Sequence, residues 1–357
     1  MTRLAVLVAV VALSSPLPWT PAHAAGSAAA SSSSSPAETK AQAAARVKAE
    51  ALLLKDLQAA AAKGDARAQL TLAQRYADGT GVKPDPKRAT MLFTQAAEAG
   101  LLPAVLEFAR RLEHGNGVPR DLSRAVHWLN IAAEQGQIDS QMALADKLLS
   151  GTGIGYDPTR AAHWLRTAAD AGHMRALVRL GRLHLRGEGV PQNQKLASQM
   201  FRKAADAGDP AGRVALAELL RSGAAGIDKN SAEGIRLLEA AAAQGFAPAL
   251  YQLAMAHYNG VDATLDLALA AQQMTQAADQ GYPQALLQIG RFHLEGKGVA
   301  KDTVRAFVYF LLAEELGGPQ IKEQASLQTD ALETRLDKAR IAEARKQAKE
   351  WRQLRGL

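Results

Sequence analysis

Large apolar residues, small residues and glycines recur along this chain in a fixed order. The clearest marker is a glycine that closes an Ala-Ala-x-x-Gly pattern, and successive markers are 36 or 37 residues apart. These markers are Gly64, Gly100, Gly136, Gly172, Gly208, Gly245 and Gly281, with Gly317 closing the last unit. So constant an interval predicts an array of seven equivalent structural units.

Two amphipathic helices are predicted in each unit. Positions four, eight and nine after the marker are small, large and small, as in Ala104, Phe108 and Ala109, and this spacing places them on one face of a helix, helix A. The second helix, helix B, has its own apolar face, for example at Ala125 and Trp128. Neither helix can bury its face within one unit, so neighbouring units are expected to stack.

Two columns of residues predict where these helices end and begin. A glycine suits the left-handed position that follows helix A. This column consists of Gly79, Gly115, Gly151, Gly187, Gly223, Gly260 and Gly296. An Asp or Asn suits the N-cap of helix B, because its side chain accepts hydrogen bonds from free backbone amides. This column consists of Asp85, Asp121, Asp157, Asn193, Asn230, Asp266 and Asp302.

Five motifs of the units together resemble those of Sel-1-like repeats, which are relatives of the tetratricopeptide repeat. These motifs are Ala-x-x-x-Leu-Ala, Gly-x-Gly-Val, Arg-Ala, Trp-Leu and Ala-Ala-x-x-Gly. The resemblance covers about residues 64–317. It implies an all-α fold: a right-handed α/α superhelical solenoid of about seven two-helix repeats with helical caps. The unit after Gly245 departs from the pattern, because Asp262 stands where other units have a second glycine, and this leaves its loop geometry open.

The segments outside the repeats predict export and capping. Residues 1–24 resemble a cleaved signal peptide, with an apolar run of about ten residues, too short for a membrane span, followed by Ala22-His23-Ala24. The alternative for this run is a buried apolar helix. Residues 25–38 form a Ser/Ala-rich linker, residues 39–63 an N-terminal capping helix and residues 318–357 C-terminal capping helices. We therefore expect a periplasmic or secreted protein with no transmembrane segment, and no lipid anchor because cysteine is absent.

Composition narrows the chemistry. The absence of cysteine excludes disulfides, thiol catalysis and cysteine-bound metals, and the net charge of +7 without a basic, aromatic stripe does not indicate nucleic acid binding. Catalytic motifs and phosphate-binding loops were not found, so we expect no enzyme activity, no catalytic residues, no cofactor and no metal. Histidines recur only at whole-repeat spacing, which favours core or edge positions, and Trp128 and Trp164 are predicted in the core. The recurring histidines are His127 and His163 on helix B and His184, His257 and His293 on helix A.

A variable polar stripe follows helix A at 3, 7, 10 and 14 residues after each marker, spacing that keeps side chains on one face. The family resemblance implies that this face is concave and binds partners. In the fourth unit the stripe holds only arginine, and Arg110 and Arg291 lie on it in other units. The predicted partner-binding residues are Arg175, Arg179, Arg182, Arg186, Arg110 and Arg291.

The arginines of the fourth unit have two interpretations. Asp146 and Glu218 occupy the column of Arg182 in the flanking units, which predicts a structural ladder of ion pairs. Alternatively, the arginines form an anion-binding ridge, because guanidinium groups bind carboxylates in a bidentate manner. The ladder would make Arg182 partly structural and leave Arg179 and Arg186 available to a partner.

The resemblance and the missing catalytic motifs favour a non-enzymatic scaffold of the bacterial cell envelope that binds a protein partner with an acidic segment. The alternative is direct binding of peptidoglycan or acidic exopolysaccharide, as part of an exopolysaccharide secretion system or as a weak cell-wall hydrolase. The stripe contains no aromatic platform for sugars, which favours protein. The basic segment 338–355 has two interpretations as well: a cap whose Trp351 covers the core, or a contact with an anionic surface.

Overall fold

The computed structural model describes residues 52–223 and 227–355. Leu54–Leu357 form one compact unit, and only the last two residues of the other unit, Met1–Leu53, are described. The predicted signal peptide, the linker and the first part of the N-terminal capping helix therefore lie outside the described residues. Within those residues the chain has seventeen helices and no strand, so the prediction of an all-α repeat fold is confirmed.

The first helix, α1, covers residues 52–62. The seven helices A are α2 (Ala66–Asp78), α4 (Leu102–His114), α6 (Ile138–Ser150), α8 (Met174–Arg186), α10 (Pro210–Ser222), α12 (Ala247–Asn259) and α14 (Pro283–Glu295). The seven helices B are α3 (Pro86–Glu98), α5 (Leu122–Glu134), α7 (Pro158–Asp170), α9 (Gln194–Asp206), α11 (Ser231–Ala242), α13 (Leu267–Asp279) and α15 (Thr303–Leu316). Each helix A and the helix B after it form one of the repeats 1 to 7. Two more helices follow, α16 (Pro319–Glu333) and α17 (Lys338–Arg355).

The predicted helix ends are confirmed in all seven repeats. Every helix A ends at its predicted glycine, which has a left-handed φ between 64° and 82°. Every helix B begins at its predicted Asp or Asn, and that side chain accepts a hydrogen bond from a backbone amide of the first turn. Both features satisfy backbone groups that a helix leaves free at its ends.

The second glycine of the loop sets the distance between repeats. At Gly117, φ is 77°, and a Cβ atom would overlap the carbonyl of Pro86 at the start of the preceding helix B. In repeat 6, Asp262 occupies this position with a φ of 65°. Its carboxylate accepts from Arg221 Nε at 3.0 Å, so the loop keeps its left-handed residue and an ion pair to the preceding repeat accompanies the substitution.

In the core of repeats 4 and 7, a glycine of helix A lies against a phenylalanine of helix B. A Cβ at Gly181 would overlap the ring of Phe201, and a Cβ at Gly290 would overlap the ring of Phe310. Both rings are fully buried.

The predicted core position of Trp128 and Trp164 needs correction. Both are only partly buried at the margin of the core, because indole is too large for the close contact between helices that alanine permits.

In the middle of the array the stack curves towards the helices A. Helix α10 lies against both α8 and α12, whereas among the described residues no two helices B of successive repeats are as close. The side formed by the helices A is therefore the concave side in repeats 4 to 6.

The basic helix α17 packs along α15. Its Ala344 and Ala348 are buried, and Trp351 is partly buried against the same core. Five of its seven basic residues form ion pairs with carboxylates. The pairs are Arg340–Asp337, Arg345–Glu333, Lys346–Glu350, Arg352–Glu315 and Arg355–Asp279. This arrangement supports the capping interpretation over contact with an anionic surface, because most of the positive charge is already compensated.

Candidate functional site

The candidate site is built on the concave stripe of helix α8. Helical spacing places Arg175, Arg179, Arg182 and Arg186 on one face, as predicted. Three of these residues are exposed, whereas Arg179 is half-buried, with a side chain that is 25% exposed. The four arginines are therefore not equivalent.

The predicted ladder through Arg182 is wrong. Asp146 forms its ion pair with Arg179 and not with Arg182. The same offset recurs two repeats later, where Gln252 donates to Glu218. In both contacts, the tenth residue after the marker glycine meets the seventh residue of the next repeat. Successive helices A are thus staggered by about one helical turn, and residues in the same sequence column do not face each other.

The ion pair with Asp146 stabilises a charge in an unfavourable position. Burial lowers the pKa of the Arg179 guanidinium, and the nearby charge of Arg182 acts in the same direction. The carboxylate of Asp146 offsets this cost, as an opposite charge does for any partly buried ion. The main role of Arg179 is therefore structural, as a link between repeats 3 and 4.

The two predicted arginines outside α8 have different surroundings. Arg110 makes a bidentate pair with Glu107, at 2.9 Å from Nε and 2.7 Å from Nη2, and this pair raises the pKa of Arg110. In contrast, Arg291 donates only to amide oxygens, to Gln288 at 3.4 Å and to Gln324 at 3.3 Å. Arg110 is compensated within its own helix, whereas Arg291 has no carboxylate partner among the described residues.

Three of the six predicted arginines thus stand without a carboxylate partner among the described residues: Arg175, Arg182 and Arg291. Arg186 has only a long contact with Glu188, at 3.7 Å, and its side chain is 71% exposed. These cations can bind an anion without first breaking a close ion pair. The structure brings Arg175, Arg182 and Arg186 together on α8, whereas Arg110 and Arg291 lie in other repeats.

An aromatic pair on the same face was missed by the sequence analysis. The rings of Tyr251 on α12 and Tyr282 at the start of α14 are 5.6 Å apart at 62°, in an edge-to-face arrangement. Burial raises the pKa of both tyrosines. The signal was present in the sequence: Tyr251 stands in a column that holds only aliphatic residues or methionine in the other repeats.

The histidines of the helices A contact backbone carbonyl groups of the loops that follow these helices. The Nδ1 atom of His184 lies 3.1 Å from the carbonyl oxygen of Pro191, and His257 and His293 make the same contact with the residue seven positions ahead. Each ring thereby satisfies a loop carbonyl. In the part of the chain that the structure describes, no cluster of three or more His, Asp or Glu side chains could hold a metal ion.

None of the described helices is both long and apolar enough to span a membrane.

The family model of the Sel1 repeat matches seven segments of this chain: residues 66–101, 109–137, 138–173, 175–209, 210–246, 247–282 and 283–318. No curated protein matches the chain. The comparison with known proteins therefore rests on this family model and on solved structures.

Solved structures that are similar to this chain include a Sel1 repeat protein from Oxalobacter formigenes. It is 31% identical, with a TM-score of 0.63, and the match covers 76% of this chain and 78% of that one. A protective antigen of uropathogenic Escherichia coli with an SLR fold is 24% identical, with a TM-score of 0.48 over 84% of this chain and 71% of its own. Yeast Tom70 is 15% identical, with a TM-score of 0.50 over 84% and 61%.

The family model covers seven segments, one for each pair of helices A and B, and the second segment begins within α4. Sel1 repeat proteins generally mediate protein–protein interactions, and the family is typically a non-catalytic scaffold. From the repeat geometry, the helix caps and this match, the chain belongs to the Sel1 repeat family.

Proposed function

We propose that this chain is a non-enzymatic, exported scaffold of the bacterial cell envelope, which binds a protein partner through the concave face of its repeats. The observation that carries the proposal is the pair Arg175 and Arg182, exposed at the middle of the array without a carboxylate partner among the described residues. The partner supplies an acidic segment. Export is inferred from the sequence pattern of residues 1–24.

The energetics of α8 support an anionic partner. Like charges on one helix face repel each other by a few tenths of a kcal/mol per neighbouring pair. The structure provides compensation for Arg179 through Asp146 but not for Arg182. An acidic segment would compensate the exposed arginines, and bidentate guanidinium–carboxylate bonds would fix its position.

The experiment compares two double variants of equal net charge in capture from a cell-envelope extract. Arg175→Gln with Arg182→Gln removes the exposed concave cations. Arg160→Gln with Arg166→Gln removes two exposed arginines from the helix B α7. We expect the first variant to lose the protein that the unaltered chain captures, and the second to keep it. Equal capture by both variants would contradict the assignment of the site.

A salt titration of the captured complex provides the second measurement. Ion pairs between exposed groups are screened as salt rises, because the Debye length falls from about 10 Å at 0.1 M to about 3 Å at 1 M. The complex with the unaltered chain should weaken steeply with salt. A complex that is insensitive to salt would contradict an acidic partner even if the concave face is used.

A further inference from the structure

The concave face has an aromatic notch in its C-terminal half, formed by Tyr251 and Tyr282. The two rings meet edge to face at 5.6 Å and are both partly buried against the core of repeats 6 and 7. Each phenol ring therefore exposes only part of its apolar surface to the groove. A tyrosine pair of this kind offers an apolar ring surface for contact and a hydroxyl that can form a hydrogen bond.

Polar side chains of α12, which holds Tyr251, and of α14, which begins after Tyr282, form hydrogen bonds nearby in the sequence. Gln252 of α12 is hydrogen-bonded to Glu218 of α10. Arg291 of α14 donates to the amide oxygens of Gln288 and Gln324. The notch thus lies between repeat 5, which follows the arginine helix α8, and the C-terminal end of the array.

The electrostatic environment of the tyrosines relates the notch to both sets of arginines. After burial, Tyr251 and Glu218 raise the pKa of Tyr282, and Arg182 lowers it. Arg291 lowers the pKa of Tyr251 against the larger effect of burial. The charge of Arg182 therefore acts on one tyrosine of the notch and the charge of Arg291 on the other.

The repeat fold does not require tyrosine at either position. The column of Tyr251 holds Leu70, Leu106, Met142, Val178, Val214 and Leu287 in the other repeats. The column of Tyr282 holds Asp65, Leu101, Gln137, His173, Asp209 and Phe246. Tyr251 thus departs from an aliphatic column, and the column of Tyr282 is variable. Positions at which the repeat fold accepts other residues are candidates for function.

We propose that Tyr251 and Tyr282 form the specificity pocket of the concave groove, and that they receive one aromatic or aliphatic side chain of the same extended protein segment whose acidic side chains bind Arg175 and Arg182. This inference rests on the proposed function and deepens it. The partner segment is acidic at the end that lies on α8 and apolar at the end that lies on α12 and α14.

Charge complementarity favours this occupant over a uniformly charged polysaccharide. Glu218 is exposed between Arg182 and the notch, so the groove changes from positive to negative and then to apolar along its length. A polymer with a carboxylate on every unit would place one of them beside Glu218, where like charges repel. The edge-to-face rings also offer no flat surface on which a sugar ring could stack.

The test uses the full mature chain and three fluorescent probes: a peptide with three acidic residues followed by a phenylalanine, the same peptide with serine at that position, and polygalacturonate. We expect the phenylalanine peptide to bind about tenfold more tightly than the serine peptide, which corresponds to about 1.4 kcal/mol. Peptides with two to six residues between the acids and the phenylalanine locate the best spacing.

Two sets of variants separate this inference from the proposed function. Tyr251→Leu with Tyr282→Gln introduces residues that the same columns hold elsewhere, so the fold is kept. We expect it to abolish the preference for phenylalanine and to leave the serine peptide unaffected. Arg175→Gln with Arg182→Gln should weaken both peptides about equally. Tyr258→Leu, a tyrosine stacked on Phe292 at the loop end of α12, serves as the control and should change neither.

A tenfold preference that survives in the double tyrosine variant would overturn the notch while leaving the arginine site intact. No preference at any spacing would overturn it as well. Failure of both peptides to bind the unaltered chain would contradict the acidic partner of the proposed function. Tight binding of polygalacturonate that depends on both tyrosines would replace the protein segment with a polysaccharide.

Discussion

Arg179 and Asp146 form an ion pair between repeats 4 and 3, although they stand in different columns of the repeat. The guanidinium is half-buried and the carboxylate is mostly exposed. This pairing reverses the roles that the sequence suggested for neighbouring arginines. Arg179 connects two repeats, whereas Arg182 is exposed without a carboxylate partner in the described part of the chain and is available to a ligand.

The first prediction concerns this pair. We expect Arg179→Gln to lower the free energy of unfolding by up to about 1 kcal/mol, the upper range for a pair with an exposed partner. Arg182→Gln should stay within about 0.5 kcal/mol, because it removes repulsion and breaks no ion pair. Chemical denaturation of both variants and of Asp146→Asn measures this. Larger destabilisation by Arg182→Gln than by Arg179→Gln would contradict the pairing.

The second prediction concerns the loop glycines. Gly117→Ala should destabilise the protein by about 2 kcal/mol or more, because the new Cβ overlaps the carbonyl of Pro86 and φ is positive. Gly100→Ala is the matched control: its φ of 79° is similar, but no atom lies within 4 Å of the new Cβ. It should cost only about 1 kcal/mol. Equal thermal shifts for the two variants would show that the contact between repeats is unimportant.

The third prediction concerns acid stability through His293. Burial lowers the pKa of this imidazole below its ordinary 6.5, the bond to Ala300 partly opposes this, and Arg305 lowers it further. The unfolded chain then binds the proton more readily than the folded chain. Stability from neutral His293 is complete above pH 6.5 and is lost as the pH falls from 6.5 through the lower folded pKa.

His293→Leu tests this, because leucine occupies the same column at Leu112 and Leu148. Denaturation midpoints measured from pH 7.5 to pH 4.5 should fall less in the variant than in the unaltered protein. The same slope in both proteins would mean that His293 does not contribute to the acid sensitivity.

The fourth prediction concerns the C-terminal cap. Trp351 is partly buried against the core of repeat 7, and the guanidinium of Arg355 lies 4.3 Å from the centre of its ring. We expect Trp351→Ala to lower the free energy of unfolding by about 2 kcal/mol. Lys349→Ala, exposed on the same helix, should change it by less than about 0.5 kcal/mol. An unchanged melting temperature for Trp351→Ala would refute the capping role of α17.

The fifth prediction concerns export. Residues 1–24 lie outside the described residues, and the expectation rests on the apolar run and on Ala22-His23-Ala24. Expression with the natural leader should yield a periplasmic or secreted protein whose first residue is Ala25. N-terminal sequencing of that fraction measures it. Recovery from the cytoplasm with Met1 retained would contradict the exported role.

The repeat architecture could be predicted from the sequence. The period, the glycine after each helix A and the Asp or Asn before each helix B were all readable, because helix ends depend on local backbone groups and on residues a few positions away. Asp85 and Gly79 are examples: each satisfies or permits a backbone geometry of its own helix. The six arginines were found for the same reason, since helical spacing fixes which side chains share a face.

The contacts between repeats could not be predicted, because they depend on how the repeats pack in three dimensions. The stagger between successive helices A set Asp146 against Arg179, and the sequence period contains no information about that stagger. The tertiary packing also brings together Tyr251 and Tyr282, which are 31 residues apart in the sequence. It places the carboxylates that compensate most of the charge of α17. A repeat pattern determines which side chains lie on each face of a unit. The packing between units determines which of the charged side chains are compensated and which are available to a partner.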